Sequence, residues 1–194
     1  EEWLVTFHPK LERPFELKFR KLTDFSIDST KNVKYFSGTA IYRKSFRLSP
    51  DNISEKTRFI LSLGILNDIA EVIVNDRSAG VLWYPPFNVD ITDVIVPGEN
   101  RLEIKVTNNW ANRLIGDEQE PADFEWGDDR GPDRGRAIKA YPDWFINDEA
   151  RPSAGRITFS LWNYYRNDTP LQPAGLVGPV KLVRESEVPL NNIP

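Results

Sequence analysis

The sequence predicts an all-β fold, a jelly-roll β-sandwich that carries one long irregular loop insertion. Residues 101–107, RLEIKVT, alternate apolar and polar side chains with the period of two that a half-buried strand requires. Fifteen prolines and eleven glycines are scattered along the 194 residues, which suits short strands and turns better than long helices. About nine or ten strand-like segments follow one another, a number typical of a sandwich.

The strand-like segments begin near the N-terminus and recur at short intervals. Residues 3–8 and 15–19 are the two early candidates, and residues 37–48 and 57–63 each place their apolar side chains on one side. Residues 69–75, IAEVIVN, are almost continuously apolar, which predicts a central strand covered on both faces. These segments supply the first half of the predicted sandwich.

Turn sequences and one long polar region separate the remaining strands. The segments NDRSAG (75–80) and VPGEN (96–100) predict turns, because Asn, Asp and Gly tolerate left-handed backbone and Pro fixes φ. The late strand candidates are residues 156–162 and 178–183. Residues 117–155 lack sustained periodicity and are rich in acids, glycines and prolines, so we expect a long loop region, a kind of segment that often carries function.

The composition limits the classes of function. A formal charge of −4 and a pI near 5.2 argue against nucleic-acid binding, which usually needs a basic surface. No apolar run approaches the ~20 residues that span a bilayer, so we expect no membrane insertion. The absence of cysteine excludes disulfides, thiolate metal sites and cysteine nucleophiles. The length fits a single domain over residues 1–194, and the absence of methionine predicts a domain excised from a longer protein.

Candidates for catalysis and metal binding are few. Glu118, Glu125 and Asp128 in the long loop offer carboxyl groups for acid–base chemistry, but acidic loops are usually solvated, and we assign no catalytic residue. Asp128 and Asp129 are weak candidates for a structural Ca²⁺, because the loop lacks the spacing of an EF-hand; no other cofactor is expected. His8, the only histidine, has no partner residue at metal-ligand spacing.

Carbohydrate binding requires flat aromatic faces next to amide, carboxylate and guanidinium groups. Several aromatic residues with such neighbours fall at strand ends or in the long loop. The sugar-binding candidates are Trp83, Tyr84, Trp110, Arg113, Trp126, Asp143 and Trp144. The competing interpretation, favoured for Trp83 and Trp110, is that tryptophans at strand ends plug the open edge of the core.

The stretch NNWANRLIGDE, residues 108–118, allows two interpretations. In the first it is a polar clasp, a loop whose asparagines satisfy backbone groups at a strand end. Arg113 then pairs with Asp117 or Glu118, and Trp110 covers the core beneath. In the second interpretation the arginine, the acids and the tryptophan bind sugar hydroxyls. We favour the clasp, with a sugar at its outer surface as the alternative.

The order of these segments resembles a known family. Residues 35–48 and 63–108, with AEVIVND, PPFNVDIT and GENRLEIKV in that order, are similar to the sugar-binding, galactose-binding-like domain of glycoside hydrolase family 2 enzymes. Residues 19–28, 108–121 (NNWANRLIGDEQEP) and 170–182 (PLQPAGLVGPVKL) extend the resemblance to the C-terminal region of glycoside hydrolase family 106, the α-L-rhamnosidases. The resemblance covers most of the chain.

The resemblance implies one function for a parent protein and a narrower one for this chain. It implies a bacterial, exported enzyme that degrades polysaccharides, with its catalytic residues on a separate (β/α)₈ barrel of about 250 residues. This chain is then a non-catalytic accessory domain from the C-terminus of a periplasmic or extracellular glycosidase. The implied partners are plant or microbial polysaccharide and the catalytic barrel of the parent, and an independent lectin-like module is the alternative.

Overall fold

The computed structural model describes residues 2–54, 56–131, 135–153, 155–158 and 160–186. Within these ranges the chain forms antiparallel strands with short helices between them. The strands are β1 (Trp3–Pro9), β2 (Phe15–Phe19), β3 (Gly38–Leu48), β4 (Thr57–Ser62), β5 (Ile65–Leu66), β6 (Ile69–Val74), β7 (Arg77–Leu82), β8 (Asn88–Asp90), β9 (Gly98–Thr107), β10 (Leu176–Gly178) and β11 (Lys181–Ser186). The helices are α1 (Lys31–Lys34), α2 (Ala111–Asp117) and α3 (Asp143–Ile146), with 3₁₀ turns at Phe25–Ile27, Pro50–Asn52 and Thr92–Val94.

Two layers of antiparallel sheet build the sandwich. The larger sheet has six strands in the order β2-β1-β3-β9-β6-β7, and the other layer consists of the sheet β11-β4-β8 and the pair β10-β5. Along β9, Leu102, Ile104 and Val106 are buried, while the residues between them are more exposed. Because a shift by one residue would turn this apolar face outward, the alternation fixes the register of the sheet.

The core lies between the two layers and contains a cluster of aromatic rings. Phe7 is fully buried, stacks on Phe15 with ring centroids 4.7 Å apart and meets Phe36 edge to face at 5.0 Å. Phe59 and Leu61 of β4 reach the same core from the opposite layer. Burial of each large apolar side chain stabilises the fold by ~1.5–3 kcal/mol, so the core holds the layers together without disulfides.

The predicted all-β sandwich is confirmed, but strand β6 differs from its prediction. Ala70, Val72 and Val74 are buried, whereas Ile69 is 53% exposed and Ile73 is half-buried. The run of apolar residues is therefore an alternating strand, covered on one face, whose outer face is also apolar in part.

The late strand predictions are confirmed in part. Strands β10 and β11 together take up the segment predicted at 178–183. The segment predicted at 156–162 forms no strand in its described residues: Trp162 joins Ala137 in an isolated bridge, and Phe159 lies outside the described residues. Its described residues form hydrogen bonds with residues 117 and 138 instead of with the sheets, so the insertion, predicted at 117–155, extends to residue 168, and we use the name for residues 117–168.

The predicted turn at 75–80 is shorter than expected. Asn75 and Asp76 adopt left-handed backbone, with φ of 51° and 63°, and β7 begins immediately afterwards at Arg77. Gly80 therefore lies within a strand. A two-residue turn of this kind matches the twist of the two strands that it connects.

The region 117–155 is mostly irregular in its described residues, as predicted, but it does not begin in a loop. The stretch 108–118, interpreted from the sequence as a loop, contains helix α2, and α3 follows later. Residues 132–134 and 154 lie outside the described ranges. No helix in the described part of the chain is long and apolar enough to cross a membrane.

Candidate functional site

Asparagine side chains close the exit from β9. Asn108 accepts a hydrogen bond from the Gly38 N–H at 2.9 Å and donates to the Phe36 carbonyl at 2.8 Å. Asn112 donates to the Gln172 carbonyl at 2.7 Å and accepts from the Gln172 N–H at 2.8 Å. These amides satisfy backbone groups around the strand end, as predicted for a clasp.

A buried ion pair within α2 anchors the insertion. Arg113 Nη2 lies 3.0 Å from Asp117 Oδ1, and both side chains are almost completely buried. The Asp117 carboxylate also accepts hydrogen bonds from the N–H groups of Ile157 (3.1 Å) and Thr158 (2.6 Å) and from the Thr158 hydroxyl. The Arg113 guanidinium lies over the Tyr35 ring, 5.8 Å from its centroid. The predicted pairing of Arg113 with Asp117 is confirmed, and it ties α2 to the far end of the insertion.

Two further arginines hold the insertion together. Arg156 Nη1 lies 3.0 Å from Glu118 Oε1, and its Nε donates to the Pro121 carbonyl at 2.9 Å. Arg151 makes two hydrogen bonds with the Asp123 carboxylate, of 2.5 and 3.1 Å. Paired guanidinium and carboxylate groups fix relative orientation as well as distance. The insertion is therefore fastened by charged groups, whereas the sandwich is held by apolar packing.

Short backbone contacts within the insertion frame a cleft beside α2. The Gly127 N–H donates to the Ala137 carbonyl at 2.8 Å, and the Ile138 N–H donates to the Leu161 carbonyl at 3.0 Å. Three segments that are distant in sequence are thereby held side by side. We call the space that they border the insertion cleft.

The insertion cleft has a volume of about 470 Å³ and a mixed polar and aromatic lining. Its lining consists of Glu118, Trp126, Asp129, Gly135, Arg136, Asn163, Tyr164, Arg166 and Asn167. Asp129 accepts a hydrogen bond from the Gly131 N–H at 3.0 Å and lies 3.4 Å from Arg136 Nε. The Gly131 hydrogen bond, with smaller contributions from the charges of Arg136 and Arg166, holds the pKa of Asp129 below its usual range. The cleft therefore presents a carboxylate and guanidinium groups together at neutral pH.

A larger opening of about 1090 Å³ lies between the two layers of the sandwich. Its inner lining includes Leu61 and Leu102, which belong to the core, and its exposed lining includes Lys21, Arg47 and Glu99. We interpret it as the incompletely filled edge of the sandwich, because Leu61 and Leu102 belong to the core and Trp3, its buried aromatic lining residue, is covered by Lys44 at 5.1 Å from the ring centroid.

The two tryptophans that were expected to plug the core point outward. Trp83 and Tyr84 are 69% and 61% exposed, with ring centroids 4.8 Å apart, and Trp110 is 41% exposed. Leu82 packs against the core, so the alternation of the strand places Trp83 on the other side. In α2 it is Ile115 that is buried, while Trp110 occupies the N-cap position. The core-plug interpretation is therefore wrong for both tryptophans.

The structure brings only some of the predicted loop residues to the insertion cleft. Trp126 and Asp129 line it, whereas Asp128 and Asp143 are exposed and are not part of its lining. Among the described residues, no group of three or more His, Asp or Glu side chains is arranged to hold a metal ion. Asp128 and Asp129 stay the weak Ca²⁺ candidates that the sequence indicates.

Trp144 has a structural environment. It is half-buried, its Nε1 donates to the Asp123 carbonyl at 3.1 Å, and Arg151 lies over its ring at 5.1 Å from the centroid. These contacts connect α3 to the ion pair between Arg151 and Asp123.

The sequence interpretation missed most of the cleft. The missed residues are Gly135, Arg136, Asn163, Tyr164, Arg166 and Asn167. Most of them come from the stretch WNYYRND, residues 162–168, in which aromatic rings, amides and an arginine follow one another. The same mixture of residue types led us to choose Trp110 and Arg113 as sugar-binding candidates. This segment was missed because residues 156–162, at its start, were predicted to form a strand of the sandwich.

The titratable groups with shifted pKa values lie mainly outside the cleft. Glu125 is exposed, and its hydrogen bond with Lys139 Nζ, 2.8 Å long, lowers its pKa. Burial raises the pKa of Asp68 to about 6, although its hydrogen bond from the Gly175 N–H favours the charged form. The nearby charge of Asp24 raises it further. Asp68 lies near the pair β10-β5 and is not part of the insertion cleft.

The chain is similar to a known family of domains and to parts of two longer proteins. Residues 17–152 match the family described as glycosyl hydrolase 2 galactose-binding domain-like. A protein of Formosa agariphila named "Putative beta-glucuronidase" is 42% identical over 180 residues, which cover 93% of this chain and 15% of that protein. The structure of a rhamnosidase from Novosphingobium sp. PP1Y matches with 33% identity and a TM-score of 0.72 over 95% of this chain and 14% of that one. The chain thus spans a small part of each relative.

Proposed function

The chain belongs to the glycosyl hydrolase 2 galactose-binding domain-like family, and on this premise we propose that it is a non-catalytic accessory domain of a larger glycoside hydrolase. Its relatives are several times longer than the chain, which leaves ample length for a catalytic barrel of about 250 residues. The acids first considered for catalysis are engaged in ion pairs or exposed: Glu118 pairs with Arg156, and Glu125 pairs with Lys139.

For the parent we propose an exported bacterial α-L-rhamnosidase of glycoside hydrolase family 106, with this domain at its C-terminus. The likeness to the Novosphingobium rhamnosidase supports this activity, because it extends over 95% of the chain at 33% identity. The Formosa relative carries the name of a different glycosidase activity. Both names agree on hydrolysis of glycosides, and a periplasmic or extracellular location suits a polysaccharide substrate.

The role of the domain is contact with carbohydrate, and the insertion cleft is the observation that carries this part of the proposal. Trp126 and Tyr164 line it next to carboxylate, guanidinium and amide groups. Aromatic faces beside such groups are the surface that sugars require. The buried Asp117 carboxylate, paired with Arg113, accepts hydrogen bonds from residues 157 and 158 and so fastens α2 to the segment that carries Tyr164.

Bracing of the catalytic barrel is a second role, supported by a separate apolar surface. Ile69, Val81, Trp83 and Tyr84, at the β6–β7 side of the large sheet, are each more than half exposed. Apolar residues that are exposed in a group commonly mark a contact between domains. An independent lectin-like module has no catalytic barrel to contact, so that alternative does not account for an exposed apolar surface.

The proposal is tested on the parent enzyme with and without this domain. We expect the truncated parent to have a lower Tm and reduced kcat/KM on a rhamnose-containing polysaccharide. The isolated chain should release no chromogenic group from an α-L-rhamnoside above a buffer blank. Turnover by the isolated chain would refute the non-catalytic role, and a truncated parent with unchanged stability and activity would refute the accessory role.

A further inference from the structure

We propose that the insertion cleft, between Trp126, Asp129, Arg136, Tyr164 and Arg166, binds an uncharged sugar residue through two adjacent hydroxyl groups. The inference rests on the proposed carbohydrate contact and names its site and the class of its ligand. The sugar-binding site is then the insertion cleft and not the exposed pair Trp83 and Tyr84.

The aromatic side chains of the cleft supply the apolar part of the binding surface. Tyr164 is 72% exposed, so most of its ring is available for contact with the C–H face of a sugar. Trp126 is half-buried and meets Phe124 edge to face, with ring centroids 4.7 Å apart, which fixes the plane of the indole. One exposed ring and one half-buried ring therefore border the same space.

The charged side chains of the cleft have both signs. Glu118 and Asp129 present carboxylates and Arg136 and Arg166 present guanidinium groups, with Glu118 also paired to Arg156 and Asp129 to Arg136. An anionic ligand would meet the two carboxylates as well as the guanidinium groups, which offsets its attraction to the cleft. The same mixture suits a pair of neighbouring hydroxyl groups, because each hydroxyl both donates to a carboxylate and accepts from a guanidinium.

The polar groups are held in place before any ligand binds. Glu118 is fixed by Arg156, and Asp129 by the Gly131 N–H. The Asn167 backbone is held through its carbonyl, which accepts from Gln119 Nε2 at 2.9 Å. Folding has already ordered these groups, so ligand binding loses less conformational entropy than it would in a site that is flexible before binding.

Gly135 keeps one wall of the cleft close to its neighbours. Its φ is +55°, and a Cβ atom there would lie 3.2 Å from Trp162 Nε1. A side chain at this position would strain the backbone and press on the wall that carries Asn163 and Tyr164.

The test is a titration of the 194-residue chain, followed by chemical shifts of its backbone amides. The probes are methyl α-L-rhamnopyranoside and methyl β-D-galactopyranoside, which are neutral, methyl β-D-glucuronide, which is anionic, and short neutral oligosaccharides. We expect a neutral probe to shift the amide signals of residues 163–167. Tyr164→Ala should weaken that binding by about tenfold, since a lost aromatic platform costs roughly one decade of affinity.

Matched variants distinguish the cleft from the rest of the surface. Tyr141→Ala, at another exposed tyrosine, and Asp51→Asn, at another exposed acid, should leave the affinity within about twofold. Asp129→Asn retains an acceptor for the Gly131 N–H but removes one negative charge, so it should weaken the neutral probe and improve binding of the glucuronide.

Three results would overturn the inference: binding of the glucuronide alone by the unmodified chain, equal affinity in Tyr164→Ala, or no response to any probe. If the parent enzyme still loses stability or activity without this domain, the accessory function stands and only the cleft assignment falls.

Discussion

Replacement of Asp117 by alanine removes the acceptor of four hydrogen-bond donors at one buried point. The donors are Arg113 Nη2, the N–H groups of Ile157 and Thr158, and the Thr158 hydroxyl. Breaking a buried ion pair costs about 3–5 kcal/mol, because the remaining charge is left uncompensated. Each buried N–H without a partner costs a further ~1–3 kcal/mol. Allowing for their non-additivity, we expect the free energy of unfolding to fall by about 4–6 kcal/mol.

Urea unfolding monitored by tryptophan fluorescence measures this loss. The matched control is Glu2→Ala, which breaks the exposed pair with Arg20 and should cost less than ~1 kcal/mol. Asp117→Asn, which keeps one acceptor oxygen, provides a milder variant if the alanine protein does not fold. Amide hydrogen exchange should accelerate at residues 157 and 158 before it does so in β3. An Asp117→Ala loss no larger than that of the Glu2 control would refute the role given to the pair.

Three further predictions concern packing, pH and metal. Gly116→Ala should lower the free energy of unfolding by about 1–3 kcal/mol in urea titrations, because the added Cβ would lie 2.6 Å from Tyr35 Cγ. Gly127→Ala is the milder control, since the closest atom to its added Cβ is 3.3 Å away. Equal losses of stability in the two variants would contradict the proposed clash with Tyr35. The pKa of Asp68 is about 6 in the folded state against 3.8 ordinarily, so its contribution to stability is complete below about pH 4 and is lost as the pH rises through 6. Asp68→Asn should therefore be more stable than the unmodified chain above pH 6, by up to about 2 kcal/mol after solvent screening, and no more stable below pH 4; a constant difference in thermal melts across this range would contradict the assignment. Addition of Ca²⁺ or a chelator should leave Tm unchanged, and a rise of Tm with Ca²⁺ that Asp129→Asn abolishes would establish the Ca²⁺ site instead.

The sandwich was predictable because its signals are local. The alternation of apolar and polar side chains along residues 101–107 or 37–48 predicts which side chains of the strand face the core. A few consecutive residues are enough to show this pattern. The errors arose where one local pattern has two structural solutions. The apolar run of β6 is equally consistent with burial on one face or on both, and only its neighbours decide which.

Helix α2 illustrates a mixed outcome. Its asparagines and glycine indicated a loop, and the isolated segment has little reason to be helical. In the fold, Ala111 and Ile115 are buried and Arg113 meets Asp117 one turn later. The pairing was predictable from residue types, whereas the helical spacing that produces it comes from tertiary packing.

The sequence by itself determined the fold class, most strands, the polar clasp after β9 and the resemblance to a sugar-associated domain. Only the tertiary structure decided that Trp83 and Trp110 face solvent, and that Trp126 and Tyr164 line the same cleft. The physical reason is the range of the interactions. Strand alternation depends on adjacent residues. The cleft is instead assembled by backbone bridges and by hydrogen bonds that Glu118 and Asp117 accept from residues 38 and 41 positions away, separations across which no periodic pattern extends.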